Sequence, residues 1–442
     1  MATEPLSESA PKLALSLSEH AAHQLDVCVH CGFCLPACPT FRELGMEADS
    51  PRGRIEIMDG VARGGIPLDE PDVALHLDRC LDCRACESAC PSGVRYHELY
   101  ESVVSHLPAR RPWVTQGQTP ESAAFHRGQR FIRLGLRQLL RRPAILAQAF
   151  RLAGRLRGLS QRLPGVAGLL PGLPQPAQRP ARGRLPGVLP AVGERRGEVE
   201  LFLGCIQDAC CGEDNFQMAR VLAACGFDVR CRTAQTCCGA LHQHVGDRRG
   251  VLSAARHNLA AFADGAGAII VGAAGCSAVL KEYGALLADT AWADAGRALA
   301  ARVRDFSEFV SEQPGLPAAM PPAGAPVRVT YHDPCHLCHA QGIRTEPRRL
   351  LQAIPGLEYV ELEEADACCG SAGVYNLLQP ALSAQVLARK IACLQATGAD
   401  WVVTANPGCA LQLRAGLRQA GSTMRVVALS QVLAEAYGGD AR

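Results

Sequence analysis

Two runs of closely spaced cysteines near the amino terminus constrain this chain more than any other feature of its sequence. Both follow the pattern C-x2-C-x2-C-x3-C-P. The first run consists of Cys28, Cys31, Cys34 and Cys38, and the second of Cys80, Cys83, Cys86 and Cys90. Gaps of two residues turn successive thiolates towards one small centre, and the proline after each run stops the chain from continuing straight past it. The spacing therefore predicts that each run surrounds a metal centre.

Zinc and disulfides are the two alternatives for these cysteines. A structural zinc site takes four ligands, usually from two separated C-x2-C pairs, so the third and fourth cysteines of each run would be surplus. Disulfides are typical of secreted proteins, whereas the amino terminus M-A-T-E-P-L-S-E-S is polar and lacks the apolar stretch of a signal peptide. The presence of 22 cysteines in a chain that we expect to be cytoplasmic therefore favours metal, and the spacing favours iron-sulfur over zinc.

Each run resembles those of bacterial two-cluster ferredoxins, in which three cysteines hold one [4Fe-4S] cluster and the fourth reaches across to the other. The resemblance implies one cluster held by Cys28, Cys31, Cys34 and Cys90, and a second held by Cys80, Cys83, Cys86 and Cys38. Residues 1–107 are expected to form a small, mostly helical bis-[4Fe-4S] domain, with one helix between Ser50 and Gly65 and another after Pro91. So short a stretch has little core of its own, and its fold should depend on the metal.

The next segment, residues 108–196, differs sharply in charge. It holds 17 arginines against two acidic residues, Glu121 and Glu194, although the whole chain carries a net charge of only +2. Apolar residues recur at helical intervals between Phe125 and Leu163, and a linker rich in proline and glycine follows. Two interpretations stay open: docking on an anionic membrane surface or an acidic partner, or helices that pack on the cluster domain with their arginines in water. Nucleic-acid binding is not expected, because neither a recognised motif nor interleaved aromatic residues accompany the charge.

The remaining 240 or so residues contain an internal repeat. In the first copy Cys205 is followed by Cys237-Cys238-Gly239 and then by Cys276. In the second copy Cys335 is followed by Cys368-Cys369-Gly370 and then by Cys409. The offsets between matching cysteines are 130, 131 and 133 residues, and near-constant offsets indicate a duplication.

Short apolar runs alternate with helix-length segments in both copies, which predicts α/β units with mainly parallel strands. Strands are expected at Val199–Leu203, Ala268–Gly272, Val327–Tyr331 and Trp401–Thr404, and helices at Asp247–Ala263 and Ala381–Thr397. Each copy should close with a short strand and a helix capped by serine, Ser307 in the first and Ser430 in the second. We place the two domains at residues 197–313 and 325–442, so that the whole chain is α/β, or α+β overall. Cys205, Cys276, Cys335 and Cys409 then fall just past strand ends, where ligand sites of open α/β sheets gather.

The two copies resemble the cysteine-rich CCG domain, which occurs in pairs in heterodisulfide reductases and in iron-sulfur subunits of glycolate, lactate and glycerol-3-phosphate oxidising systems. The whole layout is most similar to the glycolate oxidase (glycolate dehydrogenase) iron-sulfur subunits. The motifs that carry this resemblance are the two cysteine runs, A-A-G-C at 273–276, Y-H-D-P-C-H-L at 331–337, C-C-G-S-A-G at 368–373 and N-P-G-C at 406–409.

One departure from the fullest CCG pattern bears on the cofactor. That pattern ends in C-x2-C, whereas neither Cys276 nor Cys409 is followed by a second cysteine at that spacing. Each copy keeps four candidate ligands, enough for one cluster, so the alternatives are a further iron-sulfur cluster in the CCG domains or domains that have lost metal and dock partners. The candidate ligands are Cys205, Cys237, Cys238, Cys276, Cys335, Cys368, Cys369 and Cys409. Six other cysteines are expected to be small buried apolar residues: Cys210, Cys211, Cys225, Cys231, Cys338 and Cys393. Three histidines near Cys335, namely His332, His336 and His339, are expected to line or support a site.

No pattern in the sequence indicates a hydride acceptor. There is no G-x-G-x-x-G opening a βαβ unit, no P-loop and no nucleophile elbow. The resemblance implies that the chain relays electrons from FAD-binding flavoprotein subunits, which oxidise glycolate to glyoxylate, towards a quinone or another acceptor. We expect no catalytic residue in the chain itself, which would be cytoplasmic or peripheral on the inner membrane. Open alternatives are the equivalent subunit of a glycerol-3-phosphate or lactate dehydrogenase, a heterodisulfide-reductase-like catalytic subunit, and a scaffold.

The crossover of the fourth ligands is directly testable. We expect Cys90→Ser to damage the cluster held by Cys28, Cys31 and Cys34, because Cys90 supplies that cluster's fourth thiolate. Electron paramagnetic resonance of the reduced, anaerobically purified chain would report which cluster is lost, with Cys393→Ser as the control. Loss of the cluster held by Cys80, Cys83 and Cys86 would refute the crossover.

Overall fold

The computed structural model describes residues 14–107, 142, 145–149, 151–152, 180–314, 316–324 and 326–437. Most of the basic segment predicted at 108–196 therefore lies outside the described residues. The chain divides into two compact units, and among the described residues the first comprises 14–80 and 86–107. The second comprises 81–85 and the described residues from 142 onwards. None of the described helices is long and apolar enough to cross a membrane.

The first unit is helical, as expected. Its helices are Glu19–Val27, Pro39–Leu44, Pro51–Ala62, Pro71–Asp78, Ala85–Ser88 and Tyr96–His106, with a 3-10 turn at Glu47–Asp49; Ala85 belongs to the second unit. The helix expected between Ser50 and Gly65 begins at Pro51, and the Ser50 hydroxyl accepts the Gly53 N–H at 2.9 Å as its N-cap. Gly53 has to be glycine, because a Cβ there would lie 2.0 Å from the Glu47 carbonyl oxygen.

A sheet of five strands forms the first half of the second unit. The strands are β1 (Val188–Leu189), β2 (Gly197–Phe202), β3 (Phe227–Cys231), β4 (Ala268–Val271) and β5 (Val303–Asp305), in the order β1-β3-β2-β4-β5. All pairs are parallel except β1 with β3. The helices of this half are Ile206–Ala224, Ala240–Gln243, Arg248–Ala261, Ala274–Lys281, Tyr283–Leu286, Ala293–Arg302 and Phe306–Ser311.

A sheet of four parallel strands forms the second half. Its strands are β6 (Val327–Tyr331), β7 (Leu357–Tyr359), β8 (Trp401–Thr404) and β9 (Arg425–Ala428), in the order β7-β6-β8-β9. Its helices are Cys335–Cys338, Thr345–Gln352, Tyr375–Leu378, Pro380–Ala396, Pro407–Gln419 and Leu429–Tyr437. The order β3-β2-β4-β5 in the first sheet corresponds strand for strand to β7-β6-β8-β9 in the second. The predicted duplication and the predicted parallel α/β architecture are both confirmed.

The four strands expected from apolar runs lie close to their predicted limits. These central strands are largely buried on both faces. Each therefore consists of a continuous run of mostly apolar residues, which can be recognised in the sequence. The two long helices also match: Arg248–Ala261 follows the N-cap Asp247, and Pro380–Ala396 begins at a proline. The four cysteines expected just past strand ends lie three to five residues beyond β2, β4, β6 and β8.

The predicted serine cap of the first closing helix was wrong. Asp305 caps this helix, since its carboxylate accepts the Ser307 N–H at 2.9 Å and the Glu308 side chain accepts the Asp305 N–H at 3.1 Å. This reciprocal arrangement is a capping box, and it places Ser307 inside the helix. In the second copy the helix begins at Leu429, so Ser430 also lies inside it.

A buried charge network holds the helices of the first unit together. The Asp49 side chain is completely buried and accepts hydrogen bonds from Arg79 Nη1 at 2.8 Å and, at its other oxygen, from Arg54 Nη2 at 3.5 Å. Arg54 is equally buried and also donates to the His76 carbonyl at 2.7 Å and to the Thr40 hydroxyl at 3.1 Å. Burial raises the pKa of Asp49, but the hydrogen bond with His76 and the charges of Arg54 and Arg79 outweigh it and lower that pKa.

We expect Asp49→Asn to destabilise the first unit by about 3–5 kcal/mol, because it leaves two buried guanidinium groups without their counter-charge. Hydrogen exchange at the amides of Pro51–Ala62 would measure the loss. Since the folded pKa of Asp49 is depressed, its contribution is present above the unfolded value of about 3.9 and is lost as the pH falls through the lower folded value. The control is Asp59→Asn, which removes a partly exposed pair with Arg63 worth about 0–1 kcal/mol. Equal exchange rates in the two variants would contradict a structural role for the network.

Candidate metal centres

The loops of the two amino-terminal cysteine runs share an unusual backbone conformation. Residues between the first and second cysteines, His30 and Asp82, have φ of 56° and 49°. Residues directly after the second cysteines, Gly32 and Arg84, have φ of 83° and 61°. Three of these four are not glycine, and the left-handed conformation costs such residues energy that the surroundings must offset. The same strained turns at the same positions fit two loops that each wrap a common kind of centre.

The surroundings of the run cysteines differ in exposure and charge. Cys31 is exposed, Cys38 and Cys83 are buried, and the remaining five are half-buried. The Arg54 guanidinium donates to Cys38 Sγ at 4.0 Å, and the Tyr96 hydroxyl donates to Cys80 Sγ at 3.6 Å. Cationic and hydroxyl donors that face sulfur suit thiolates, which are the form that binds iron. The assignment of fourth ligands between the two runs stays a prediction.

The first repeat brings its four predicted ligands into two touching pairs. Cys205 follows β2, and its Sγ lies 3.5 Å from that of Cys237. Cys238 Sγ lies 3.2 Å from that of Cys276, in the first turn of Ala274–Lys281. These sulfurs come from three separate segments at the carboxyl ends of neighbouring parallel strands, as expected for this kind of sheet.

The second repeat forms the same two pairs. Cys335 is hydrogen-bonded to Cys368, and Cys369 is hydrogen-bonded to Cys409. The loop conformation also repeats, since the N–H groups of Gly239 and Gly370 each donate to the sulfur two residues earlier at 3.4 Å.

The glycine after each cysteine pair is required by the fold. Gly239 and Gly370 have φ of 104° and 83°, in the left-handed region. A Cβ on Gly370 would also lie 2.6 Å from the Ser383 carbonyl oxygen. The tripeptide therefore turns two adjacent thiols towards one centre while its third residue passes close to a neighbouring helix.

Hydrogen bonding between the paired thiols, together with burial, raises the pKa of one cysteine in the first pair of each repeat. The hydrogen bond with Cys237, followed by burial, raises the pKa of Cys205 well above that of an ordinary thiol. The hydrogen bond with Cys368, again followed by burial, raises the pKa of Cys335 well above that of an ordinary thiol. All 22 cysteines lie in the described part of the chain and all are free thiols, so none forms a disulfide. Four thiols at each repeat are a donor set that suits iron-sulfur or zinc, since a bound cation would compensate for the loss of their protons.

The remaining cysteines lie apart from these pairs. Cys210, Cys211, Cys225, Cys231 and Cys338 are buried, as expected, whereas Cys393 is half-buried. The Cys338 thiol donates to the Cys335 carbonyl oxygen at 3.7 Å and so serves its own short helix. Desolvation is the largest cause that raises the pKa of Cys338, as it does for Cys225 and Cys231.

The predicted ligand set left out three residues that lie at these sites. Lys390 is 2% exposed in the helix Pro380–Ala396, and its ammonium group donates to the carbonyl oxygens of Glu364 and Ala365. The sequence could have indicated that Lys390 is buried, because it shares a helical face with the buried residues Leu387, Ile391 and Leu394. Asp82 and His244 form a cluster with His336, and one potential ligand atom from each of the three lies within 4.8 Å of the other two. These three residues are far apart in the sequence, and no spacing pattern connects them.

The five residues between Cys80 and Cys86 belong to the unit that contains the repeats. Arg84 is 2% exposed at its side chain and makes a two-pronged ion pair with Glu282, which directly follows the helix Ala274–Lys281. Cys83 on this short segment is near the second repeat. The hydrogen bond with Cys335 lowers the pKa of Cys368. The hydrogen bond with Cys369, burial and the charges of Cys369 and Cys83 act in the opposite direction, and the pKa of Cys368 is raised overall.

Comparison with known proteins adds two family matches. A model described as "4Fe-4S dicluster domain" matches residues 24–94, and one described as "Cysteine-rich domain" (CCG) matches residues 199–281 and 329–414. The dicluster match confirms two [4Fe-4S] clusters in the amino-terminal part. The CCG matches fall on the two sheets described above.

Curated relatives match over much of the chain. One from Bacillus subtilis (strain 168), described as "Probable glycolate oxidase iron-sulfur subunit", is 38% identical over 93% of this chain and 94% of its own length. "Glycolate oxidase iron-sulfur subunit" from Escherichia coli (strain K12) is 35% identical over 88% of this chain and 89% of its own length. "Lactate utilization protein A" from Geobacillus kaustophilus (strain HTA426) is 30% identical and covers 53% of this chain and 98% of itself. Because the first two match across most of the chain and not only its repeats, the chain belongs to the family of glycolate oxidase iron-sulfur subunits.

Proposed function

We propose that this chain is the electron-transfer subunit of a glycolate-oxidising complex. It takes electrons from FAD-binding flavoprotein subunits that oxidise glycolate to glyoxylate and passes them to a quinone or another acceptor. Membership of the glycolate oxidase iron-sulfur subunits, the two cysteine runs and the two repeats support this role. The chain supplies ligands and surroundings and no catalytic residue for the organic substrate.

The observation that carries the proposal is the position of Leu81–Ala85. These residues are part of the second cysteine run and also part of the unit that contains the CCG repeats. The Arg84–Glu282 pair holds the segment, because the Arg84 side chain is 2% exposed and depends on Glu282, which is 20% exposed, for its counter-charge. Cys83 is thereby held near Cys368, so a predicted ligand of the second amino-terminal cluster lies beside predicted ligands of the second repeat.

The proposed ligands are the eight run cysteines for two [4Fe-4S] clusters and the eight repeat cysteines for further iron-sulfur centres. When bound, an iron-sulfur cluster accepts and donates one electron at a time at a potential set by charge, hydrogen bonds and exposure. Groups of the chain itself influence the charge, the hydrogen bonding and the exposure of the proposed centres. Arg54 offers a cation to Cys38, the glycine N–H groups donate to Cys237 and Cys368, and six of the eight repeat cysteines are buried, whereas Cys276 and Cys335 are half-buried.

Two further parts of the proposal concern location. The basic segment 108–196 has the charge to bind anionic lipid headgroups, so we propose a peripheral contact with a membrane that holds the quinone. The chain would lie on the cytoplasmic side. A lactate-oxidising role is less well supported, because the lactate utilization relatives match only about half of this chain.

The proposal predicts that glycolate reduces the metal centres of this chain within its complex. Adding glycolate to the anaerobic complex should elicit the paramagnetic signals of reduced iron-sulfur clusters, whereas lactate and glycerol-3-phosphate should not. The control is the isolated chain, which should not respond to glycolate, since it is expected to lack a hydride acceptor. Reduction by lactate or glycerol-3-phosphate in preference to glycolate would replace the proposed substrate, and no reduction by any of them would contradict the proposed role.

The position of Leu81–Ala85 predicts an effect of the ion pair on electron transfer. We expect Arg84→Gln to slow reduction of an artificial acceptor by the complex while the iron content stays the same, because the loop loses its fixed position beside the second repeat. Rapid-freeze spectroscopy with glycolate as the electron source would measure the rate. The matched control is Arg297→Gln, which alters an exposed arginine paired with Asp294. Unchanged kinetics in Arg84→Gln would mean that the segment is not on the electron path.

A further inference from the structure

A buried histidine beside the cysteines of the second repeat lacks the hydrogen bonds that such a group needs. His332 is 1% exposed, and neither ring nitrogen has a hydrogen-bond partner of normal geometry. The Ala365 carbonyl oxygen is close to the ring and also accepts the Asp333 N–H at 3.1 Å, so it can serve one ring nitrogen and leaves the other without a partner. A neutral imidazole carries one N–H and one acceptor nitrogen, and leaving such groups unsatisfied in a core costs about 1–3 kcal/mol each. The ring is therefore placed for a partner outside the polypeptide.

The surroundings of the ring point to a metal. One ring nitrogen of His332 and the sulfurs of Cys369 and Cys409 all lie within 4.8 Å of one another, and all three residues are buried. Imidazole nitrogen and thiolate sulfur together form a donor set typical of iron, zinc and copper sites. The three residues come from different segments. His332 directly follows β6, Cys369 lies in the C-C-G turn, and Cys409 lies in the first turn of the helix Pro407–Gln419.

The first repeat has no equivalent of this histidine. His332 lies three residues before Cys335, and the residue three before Cys205 is Phe202. Phe202 is 1% exposed and packs against Phe262, with 6.3 Å between the ring centroids. A phenyl ring cannot ligate a metal, so the two repeats offer different donor sets despite their common fold.

We propose that His332 is a nitrogen ligand of the metal centre in the second repeat, bound together with Cys369 and Cys409, and that the first repeat holds its centre with cysteines alone. The inference rests on the proposed function in one respect, namely that the repeats hold iron. The Ala365 carbonyl oxygen faces the ring where it would receive the other N–H, an arrangement that orients most metal-binding histidines.

This difference in ligands separates the reduction potentials of the two repeats. A neutral imidazole supplies a donor nitrogen without the negative charge of a thiolate, and histidine ligation raises the reduction potential of iron-sulfur centres relative to thiolate ligation. The buried Lys390 adds to this effect, because its ammonium group is near Cys369. The second repeat is thus expected to hold the more oxidising of the two centres.

Isotopic labelling of histidine tests the ligand directly. The full-length chain is prepared with ¹⁵N-histidine, reconstituted with Fe²⁺ and sulfide, and reduced, and electron-nuclear double resonance then detects nitrogen bound to paramagnetic iron. We expect a histidine nitrogen coupling in the wild type and its loss in His332→Phe, which copies the first repeat. The control is His257→Gln, which removes an exposed histidine whose Nδ1 lies 2.7 Å from the Ser253 carbonyl oxygen and should leave the coupling in place.

A second variant separates a ligand from a packing role. His332→Cys restores a metal-binding donor of smaller size, so we expect it to keep the iron that His332→Phe loses and to lower the reduction potential of that centre. No histidine coupling in the wild type, or coupling that survives in His332→Phe, would overturn the assignment. A wild-type content of about eight irons would also overturn it, because two [4Fe-4S] clusters account for that number. The electron-transfer role would survive that result, since glycolate-dependent reduction of the two amino-terminal clusters tests it separately.

Discussion

Buried cysteine sulfurs that touch in pairs are the constraint on which this structure depends. Eight cysteines gather in the two repeats as touching pairs, and burial raises the pKa of Cys205 and Cys335 well above that of a free thiol. A bound metal would remove the protons and neutralise the resulting charge. The parallel sheets supply the geometry, because neighbouring strands deliver their carboxyl ends, and the residues that follow them, to one edge.

The fold around these sulfurs was largely predictable where one local rule decided the outcome. Buried parallel strands are continuous apolar runs, so β2, β4, β6 and β8 were visible, and constant offsets between cysteines revealed the duplication. The strands β3 and β7 were not predicted, since they are less completely buried and their composition is mixed. The cap of the first closing helix was misassigned to Ser307 because Asp305 and Ser307 are both good caps, and only the partner Glu308 decides between them.

The candidate sites were predictable as sets of cysteines and not as complete environments. Spacing identifies residues that share a loop, as in the two runs, and repetition identifies residues that share a position, as in the two C-C-G turns. Neither rule finds Lys390 or the proximity of Asp82, His244 and His336, because those depend on how distant segments pack. The contrast between His332 and Phe202 was present in the sequence but acquired meaning only when the imidazole was found beside Cys369 and Cys409.

The short segment Leu81–Ala85 has a consequence for how this protein reaches its working form. Its five residues belong to one cysteine run by sequence and to the other compact unit by packing. Arg84 needs Glu282, almost two hundred residues later, for its buried ion pair. A ribosome therefore exposes the second cysteine run long before the surface that receives its middle part has been made. The Arg84–Glu282 pair cannot form until translation has passed Glu282, so final closure of that loop comes late in the life of the polypeptide.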